Sequence, residues 1–198
     1  MNILFLSYGQ FEYDGRQREL IKICKQLGKT YYLTRTKPGF TPAEPEHICF
    51  QDQSRGAYLR FIRRAQRLYE ELGSIDLVFV DNRKATVPAL RIKKKHPAVR
   101  IVQDARELYL RSEMTTFSSR MGCYFEEKMY KKADVVIAAN EYRAKRMQQE
   151  YHLPERPLVY ENLRKLTYSP QADQAALAAR FGELLSGNEF RIVSTSGC

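Results

Sequence analysis

The stretch IDLVFVD, residues 75–81, is apolar at nearly every position and ends in an aspartate. A strand covered by helices on both faces has this character, because neither face meets water. A second run, VRIVQD at residues 99–104, follows a segment predicted to be helical from about 86 to 95, with Thr86 as its N-cap and Pro88 in its first turn. Strand, helix and strand in this order predict a βαβ unit of a parallel sheet.

The same alternation of short apolar runs and helical stripes continues in both directions along the chain. We therefore expect an α/β protein with a doubly wound, mostly parallel sheet. Further strands are predicted at 2–7, 30–35, 47–50, 133–140, 156–162 and 189–197, and further helices at 16–27, 54–72, 117–132, 141–151 and 171–185.

The end of the sequence differs from the rest. A first domain is expected over residues 1–165, and residues 166–198 then contain a linker, a helix and one more strand that ends near Gly197. A strand that ends in glycine often begins a nucleotide-binding half. Residues 166–198 are therefore expected to be the linker helix and first strand of a truncated second domain.

The chain has a formal net charge of +10, which favours an anionic partner such as a membrane surface, a nucleic acid or a phosphorylated ligand. One helix carries a basic face, which is either ordinary solvated surface or a docking surface for an anionic membrane. The tyrosines and phenylalanines are not grouped into a stacking platform, so a nucleic-acid partner is not expected. The basic face consists of Arg60, Arg63, Arg64 and Arg67.

Four scattered cysteines and three isolated histidines show no spacing typical of metal ligands. We expect reduced cysteines in a cytoplasmic protein, with no metal and no cofactor. No apolar run approaches the roughly 20 residues that a membrane-spanning helix needs.

Polar residues follow several predicted strands, and in doubly wound folds ligands bind outside the carboxyl ends of the strands. The motif DARE, residues 104–107, is one such tip. Asp104 and Glu107 have the spacing of a helix cap, which leaves Arg106 unexplained; an arginine there could hold a phosphate or a carboxylate. Asp14 and Gly15 either form an ordinary helix start or bring backbone amides to an anion.

Three stretches of the sequence together resemble the N-terminal domain of the GT-B glycosyltransferases, and more narrowly glycosyltransferase family 4. They are DLVFVDNRKATVPALRIKKKHP at 76–97, IVQDARELY at 101–109 and ADVVIAANEYRAKRMQQEYHLPERPLVYENL at 133–163. The resemblance covers nearly the whole chain. It implies transfer of a sugar from a nucleotide-sugar to a glycan or lipid-linked acceptor, with retention of configuration and without a metal.

The resemblance also implies that two domains bind different substrates. The N-terminal domain would hold the acceptor, and a C-terminal domain, which this chain lacks, would hold the nucleotide-sugar donor. The isolated chain is therefore expected to be inactive. Its parent would act in cell-surface polysaccharide synthesis, in the cytoplasm or peripherally at the inner face of the membrane.

The site residues that the resemblance implies lie at the strand tips. Members of the family often have histidine where this sequence has Arg106, whereas the asparagine of their Val-x-x-Asn motif is kept as Asn162. Arginine stays cationic where histidine could change charge. The expected catalytic residues are Asp104, Arg106 and Glu107, and the expected acceptor-binding residues are Gly9, Gly15, Arg16, Gln17, Asn82, Asn140, Glu141 and Asn162.

Overall fold

The computed structural model describes residues 1–161, which lie in one compact unit. The chain alternates strands and helices as expected. The strands are β1 (Asn2–Gln10), β2 (Lys29–Arg35), β3 (His47–Phe50), β4 (Leu77–Asp81), β5 (Arg100–Ala105), β6 (Val135–Ala138) and β7 (Leu158–Val159). The helices are α1 (Gly15–Leu27), α2 (Ala57–Leu72), α3 (Thr86–Lys95), α4 (Phe117–Tyr130) and α5 (Glu141–Tyr151). Two short 3-10 turns cover Arg83–Ala85 and Arg111–Glu113.

All seven strands are parallel and stand in the order β3-β2-β1-β4-β5-β6-β7. From β1 the chain moves outward through β2 to β3; it then returns to β4, beside β1, and continues in the other direction. The sheet is therefore doubly wound, with its topological switch point between β1 and β4. This confirms the predicted fold class.

Alternate residues of β1 and β4 enter two apolar cores, one on each face of the sheet. Leu4 and Leu6 of β1 pack with Phe61 of α2 and Ala89 of α3. The residues on the opposite face of the sheet, which include Ile3, pack instead with α1. Helices on both sides exclude water from the strands, which explains why residues 3–6 of β1 and residues 77–80 of β4 are all apolar.

Several local predictions differ from the structure. Helix α2 begins at Ala57 rather than at 54, and β7 has two residues rather than the seven predicted. Thr86 is not an N-cap: the chain enters α3 through the first 3-10 turn, which Asn82 caps by accepting a hydrogen bond from the Arg83 amide. Asp104 is not a helix cap either, because it is still within β5 and no helix follows it directly.

The predicted segments 171–185 and 189–197, and the proposed second domain over 166–198, lie outside the described residues. No helix within residues 1–161 is both long and apolar enough to cross a membrane.

Candidate functional site

The candidate site lies at the carboxyl-end edge of the sheet, where β1, β4 and β5 end side by side. Register pairs Ser7 with Asp81, and Asp81 with Asp104, so residues at or near the carboxyl ends of three strands are level. This is the position beside the switch point at which doubly wound folds bind ligands. The polar tips of β1, β4 and β5 thus come together here.

Arg106 lies at the centre of this edge and points inward. Its Nε and Nη2 donate to the two carboxylate oxygens of Asp81, each at 2.7 Å, and its Nη1 donates to Asp14. Only 15% of the Arg106 side chain is exposed. The guanidinium therefore has its bonding directions occupied by the protein's own carboxylates.

Arg16 and Asp104 form a second buried pair beside the first. Arg16 donates through Nε and Nη2 to the two oxygens of Asp104, at 2.9 and 2.6 Å. Its Nη1 donates to the Tyr160 carbonyl at 2.9 Å, and the guanidinium lies over the Tyr160 ring. Asp104 is completely buried. The pair ties α1 to β5 and to the chain after β7.

Burial and neighbouring charges shift the pKa values of this cluster in opposite directions. Complete burial raises the pKa of Asp81 to about 6, although the charge of Arg106 works against that shift. Burial alone would lower the pKa of Arg106, but the charges of Asp81, Asp14 and Asp104 raise it above its ordinary value. Among residues 1–161, no group of three or more His, Cys, Asp or Glu side chains could hold a metal ion.

The start of α1 fits closely against the cluster. Asp14 caps the helix by accepting from the Gln17 amide at 3.0 Å, and Gln17 reaches Asp81 at 3.3 Å. Gly9 leaves room for this arrangement: a Cβ there would lie 3.2 Å from both the Ser7 hydroxyl oxygen and an Asp14 carboxylate oxygen. Gly15 is the first residue of α1. The first loop is therefore held against the strand ends.

The remaining predicted residues are placed as follows. Glu107 is 51% exposed and pairs with Arg143, which also donates to the Arg106 carbonyl. Asn140 caps α5 as predicted, and Glu141 is exposed and pairs with Arg156. Asn162 lies beyond the described residues.

A second group lies at the same edge, outside the predicted site residues. Tyr8, at the end of β1, and Arg83 and Lys84, just after β4, line a pocket of about 460 Å³ together with Tyr58, Ser118 and Ser119. We call it the Tyr8 pocket. Two cations directly after a strand tip were a usable signal, but the contributions of α2 and α4 could not be read from the sequence.

Two of the four arginines on the basic face of α2 form ion pairs in the described part of the chain, and the other two do not. Arg60 pairs with Asp52, and Arg64 donates to both oxygens of Glu71, at 3.0 and 2.7 Å. Arg63 and Arg67 are exposed and form no ion pair within residues 1–161.

Comparison with known proteins supports the fold. No family model matches the chain, and no curated protein does. Sucrose-phosphate synthase from Thermosynechococcus elongatus is similar over 89% of this chain and 52% of its own, with a TM-score of 0.62 and 12% identity. Anabaena HepE in complex with UDP is similar over 92% and 50%, with a TM-score of 0.58 and 20% identity.

A UDP-N-acetylglucosamine 2-epimerase from Rickettsia bellii is similar over 95% of this chain and 49% of its own, with a TM-score of 0.54 and 13% identity. The chain thus spans about half the length of these three proteins. These likenesses support a fold of the GT-B type, as the sequence resemblance implied.

Proposed function

We propose that this chain carries the acceptor-side domain of a retaining glycosyltransferase that moves a sugar from a nucleotide-sugar to a glycan or lipid-linked acceptor. The observation that carries the proposal is the polar edge at the switch point of a GT-B-type sheet, with Asp81, Asp104 and Arg106 on adjacent strand ends. Ligands of doubly wound folds bind at such an edge. The proposal includes a role in cell-surface polysaccharide synthesis and a cytoplasmic location, peripheral to the membrane.

The proposed roles follow from burial. Asp104 and Arg106 are enclosed and bonded to other side chains, so their role is to position the strand ends and the first loop. Glu107 and Asn82 are nearer the solvent and are the better candidates to contact the acceptor. The Gly9 loop and the start of α5 at Asn140 form the neighbouring walls in this proposal.

The donor in this proposal is a nucleotide-sugar held mainly by a further domain. The HepE structure contains UDP, which makes a UDP-sugar the first donor to test. An epimerase of UDP-sugars is the second candidate, because a UDP-N-acetylglucosamine 2-epimerase has a similar fold. A non-catalytic module that binds a phosphorylated ligand is the third.

One assay separates these candidates. The protein that contains this chain is incubated with a panel of UDP-sugars, with and without glycan and lipid-linked acceptors, and UDP release and sugar configuration are followed by NMR. Acceptor-dependent UDP release with an unchanged anomeric configuration supports the proposal. Epimerised UDP-sugar without acceptor supports the second candidate, and no turnover with any pair supports the third.

Two variants test the positioning roles. We expect Asp104→Ala and Arg106→Ala to raise the KM for the acceptor and to leave the KM for the nucleotide-sugar unchanged. Asp104→Asn keeps one acceptor oxygen for Arg16 and should retain part of the activity. Lys145→Gln, an exposed change on α5, is the control. Unchanged acceptor KM in both alanine variants would remove these residues from the proposed site.

A further inference from the structure

Three cations lie around Tyr8. The Arg35 guanidinium lies 4.8 Å and the Lys84 ammonium 5.3 Å from the centre of the Tyr8 ring, and Arg83 lines the same pocket. None of the three forms an ion pair within residues 1–161. Arg16 and Arg106, at the same edge of the sheet, are instead paired with buried carboxylates, and Arg16 also donates to the Tyr160 carbonyl. Arg83 and Lys84, the two cations that line the Tyr8 pocket, are therefore available to a ligand, with Arg35 adding positive charge at the Tyr8 ring.

The rest of the pocket suits an anion as well. No aspartate or glutamate lines it, whereas Ser118 and Ser119 do. Tyr58 lines it as well, but its hydroxyl donates to the Lys84 carbonyl at 3.0 Å. Ser118 and Ser119 are in the first turn of α4, a helix of 14 residues whose N-terminal end favours negative charge. Cations, hydroxyl donors and the helix end thus converge on one cavity.

Arg83 is held in place before any ligand binds. Its guanidinium lies 4.3 Å from the centre of the Tyr109 ring, and its Nη1 is 3.8 Å from the Cys123 sulfur. Gly122 packs against it: a Cβ at that position would be 3.4 Å from Arg83 Cδ and Nε, an ordinary van der Waals contact. A side chain fixed in this way loses little conformational freedom on binding, which favours affinity.

Glu126, an acidic group that interacts electrostatically with Arg83, offsets the charge of Arg83 only in part. Glu126 of α4 is buried, and one of its carboxylate oxygens, Oε2, has no hydrogen-bond partner. Burial raises the pKa of Glu126 to about 7, although the charge of Arg83 works against that shift. Near neutral pH a large fraction of Glu126 is therefore protonated and carries no charge that could neutralise Arg83.

We propose that the Tyr8 pocket binds the phosphate or diphosphate group of the acceptor. A guanidinium fork, an ammonium and hydroxyl donors match the oxygens of a phosphate. A cavity of about 460 Å³ lies within the range of small-ligand sites. The pocket is at the tips of β1 and β4, beside the switch point. That the phosphate belongs to an acceptor rests on the proposed function; the binding itself does not.

The test measures binding rather than transfer. The protein that contains this chain is titrated with inorganic pyrophosphate by calorimetry, and in parallel sedimented with phosphatidylcholine vesicles that contain phosphatidic acid. Loss of a charge-assisted contact should weaken binding by about tenfold. We expect this loss in Arg83→Gln and in Lys84→Gln, and no change in Lys145→Gln, which removes the same charge from α5.

Two probes distinguish the source of the phosphate. Weakened pyrophosphate binding in the two pocket variants supports a soluble phosphorylated ligand; weakened vesicle binding in the same variants supports a lipid-linked one. Equal binding in all three variants to both probes, or no saturable binding to either, would overturn the proposal. Lys84 is exposed, so Lys84→Gln remains informative even if Arg83→Gln does not fold. Sugar transfer with unaltered phosphate binding in these variants would reject the pocket and leave the proposed function standing.

Discussion

Arg106 donates two parallel hydrogen bonds to Asp81, from Nε and Nη2 to the two carboxylate oxygens, each at 2.7 Å. Asp81 ends β4, and Arg106 directly follows β5. The pair therefore joins the tips of two neighbouring strands, and the bond from Arg106 to Asp14 adds the start of α1. An arginine that looks like an anion clamp in the sequence is instead satisfied by the protein.

This arrangement makes Arg106 important for stability. Arg106→Ala leaves the buried carboxylate of Asp81 without its cation, and loss of one partner of a buried pair costs about 3–5 kcal/mol. We expect a loss of that size in the free energy of unfolding, measured by urea denaturation of this chain. Glu107→Ala is the matched control, since Glu107 is exposed and its pair with Arg143 is worth at most about 1 kcal/mol. Equal stability of the two variants would show that Arg106 is not structural.

Glu126 should make stability depend on pH. Its pKa is raised to about 7 from an ordinary value of 4.5, so between these values the folded protein holds a proton that the unfolded chain has lost. The contribution of Glu126 to stability therefore falls as pH rises through this window, by up to about 3 kcal/mol, and is constant above it.

Glu126→Gln stays neutral at every pH, so its stability relative to the natural chain should rise between about pH 5 and about pH 8. Urea denaturation of both proteins at the two pH values measures this. Glu127→Gln changes the next residue, which pairs with Lys131 at the surface, and should show no such trend. A pH-independent difference for Glu126→Gln would mean that Glu126 titrates normally.

The unpaired arginines of α2 should contribute to membrane binding. Each exposed Lys or Arg near an anionic bilayer contributes about 1 kcal/mol, so Arg63→Gln with Arg67→Gln should weaken co-sedimentation with phosphatidylserine vesicles by about 2 kcal/mol. Arg18→Gln with Lys22→Gln removes the same charge from α1, which packs on the opposite face of the sheet. Identical binding by the two double variants would contradict an oriented membrane surface on α2.

Gly28 should tolerate no side chain. A Cβ at this position would lie 2.1 Å from the Met1 carbonyl oxygen, which also accepts a hydrogen bond from the Lys29 amide. Gly28→Ala must displace backbone, and we expect it to lower the free energy of unfolding by up to about 3 kcal/mol. Gln26→Ala, an exposed change nearby on α1, should stay within about 0.5 kcal/mol. Comparable denaturation midpoints for the two variants would refute the close contact.

Helix caps could be predicted where the capping side chain and the amide that it binds are close in the sequence. Asp14 and Asn140 cap their helices as expected, because each accepts a bond from an amide three residues ahead. The same type of reasoning failed for Thr86, where an unforeseen 3-10 turn capped by Asn82 precedes the helix. It also failed for Asp104, whose partner Arg16 is 88 residues away.

The sequence by itself determined the class of fold, because buried parallel strands must be apolar on both faces and helices must carry apolar stripes. It also placed polar residues at the strand ends. Only the tertiary structure decided which of these charges are available. Packing pairs Arg106 with Asp81 and Asp14, but leaves Arg35, Arg83 and Lys84 around Tyr8 without a carboxylate partner in the described part of the chain. Pairing depends on distances between residues far apart in the sequence, and folding alone sets those distances.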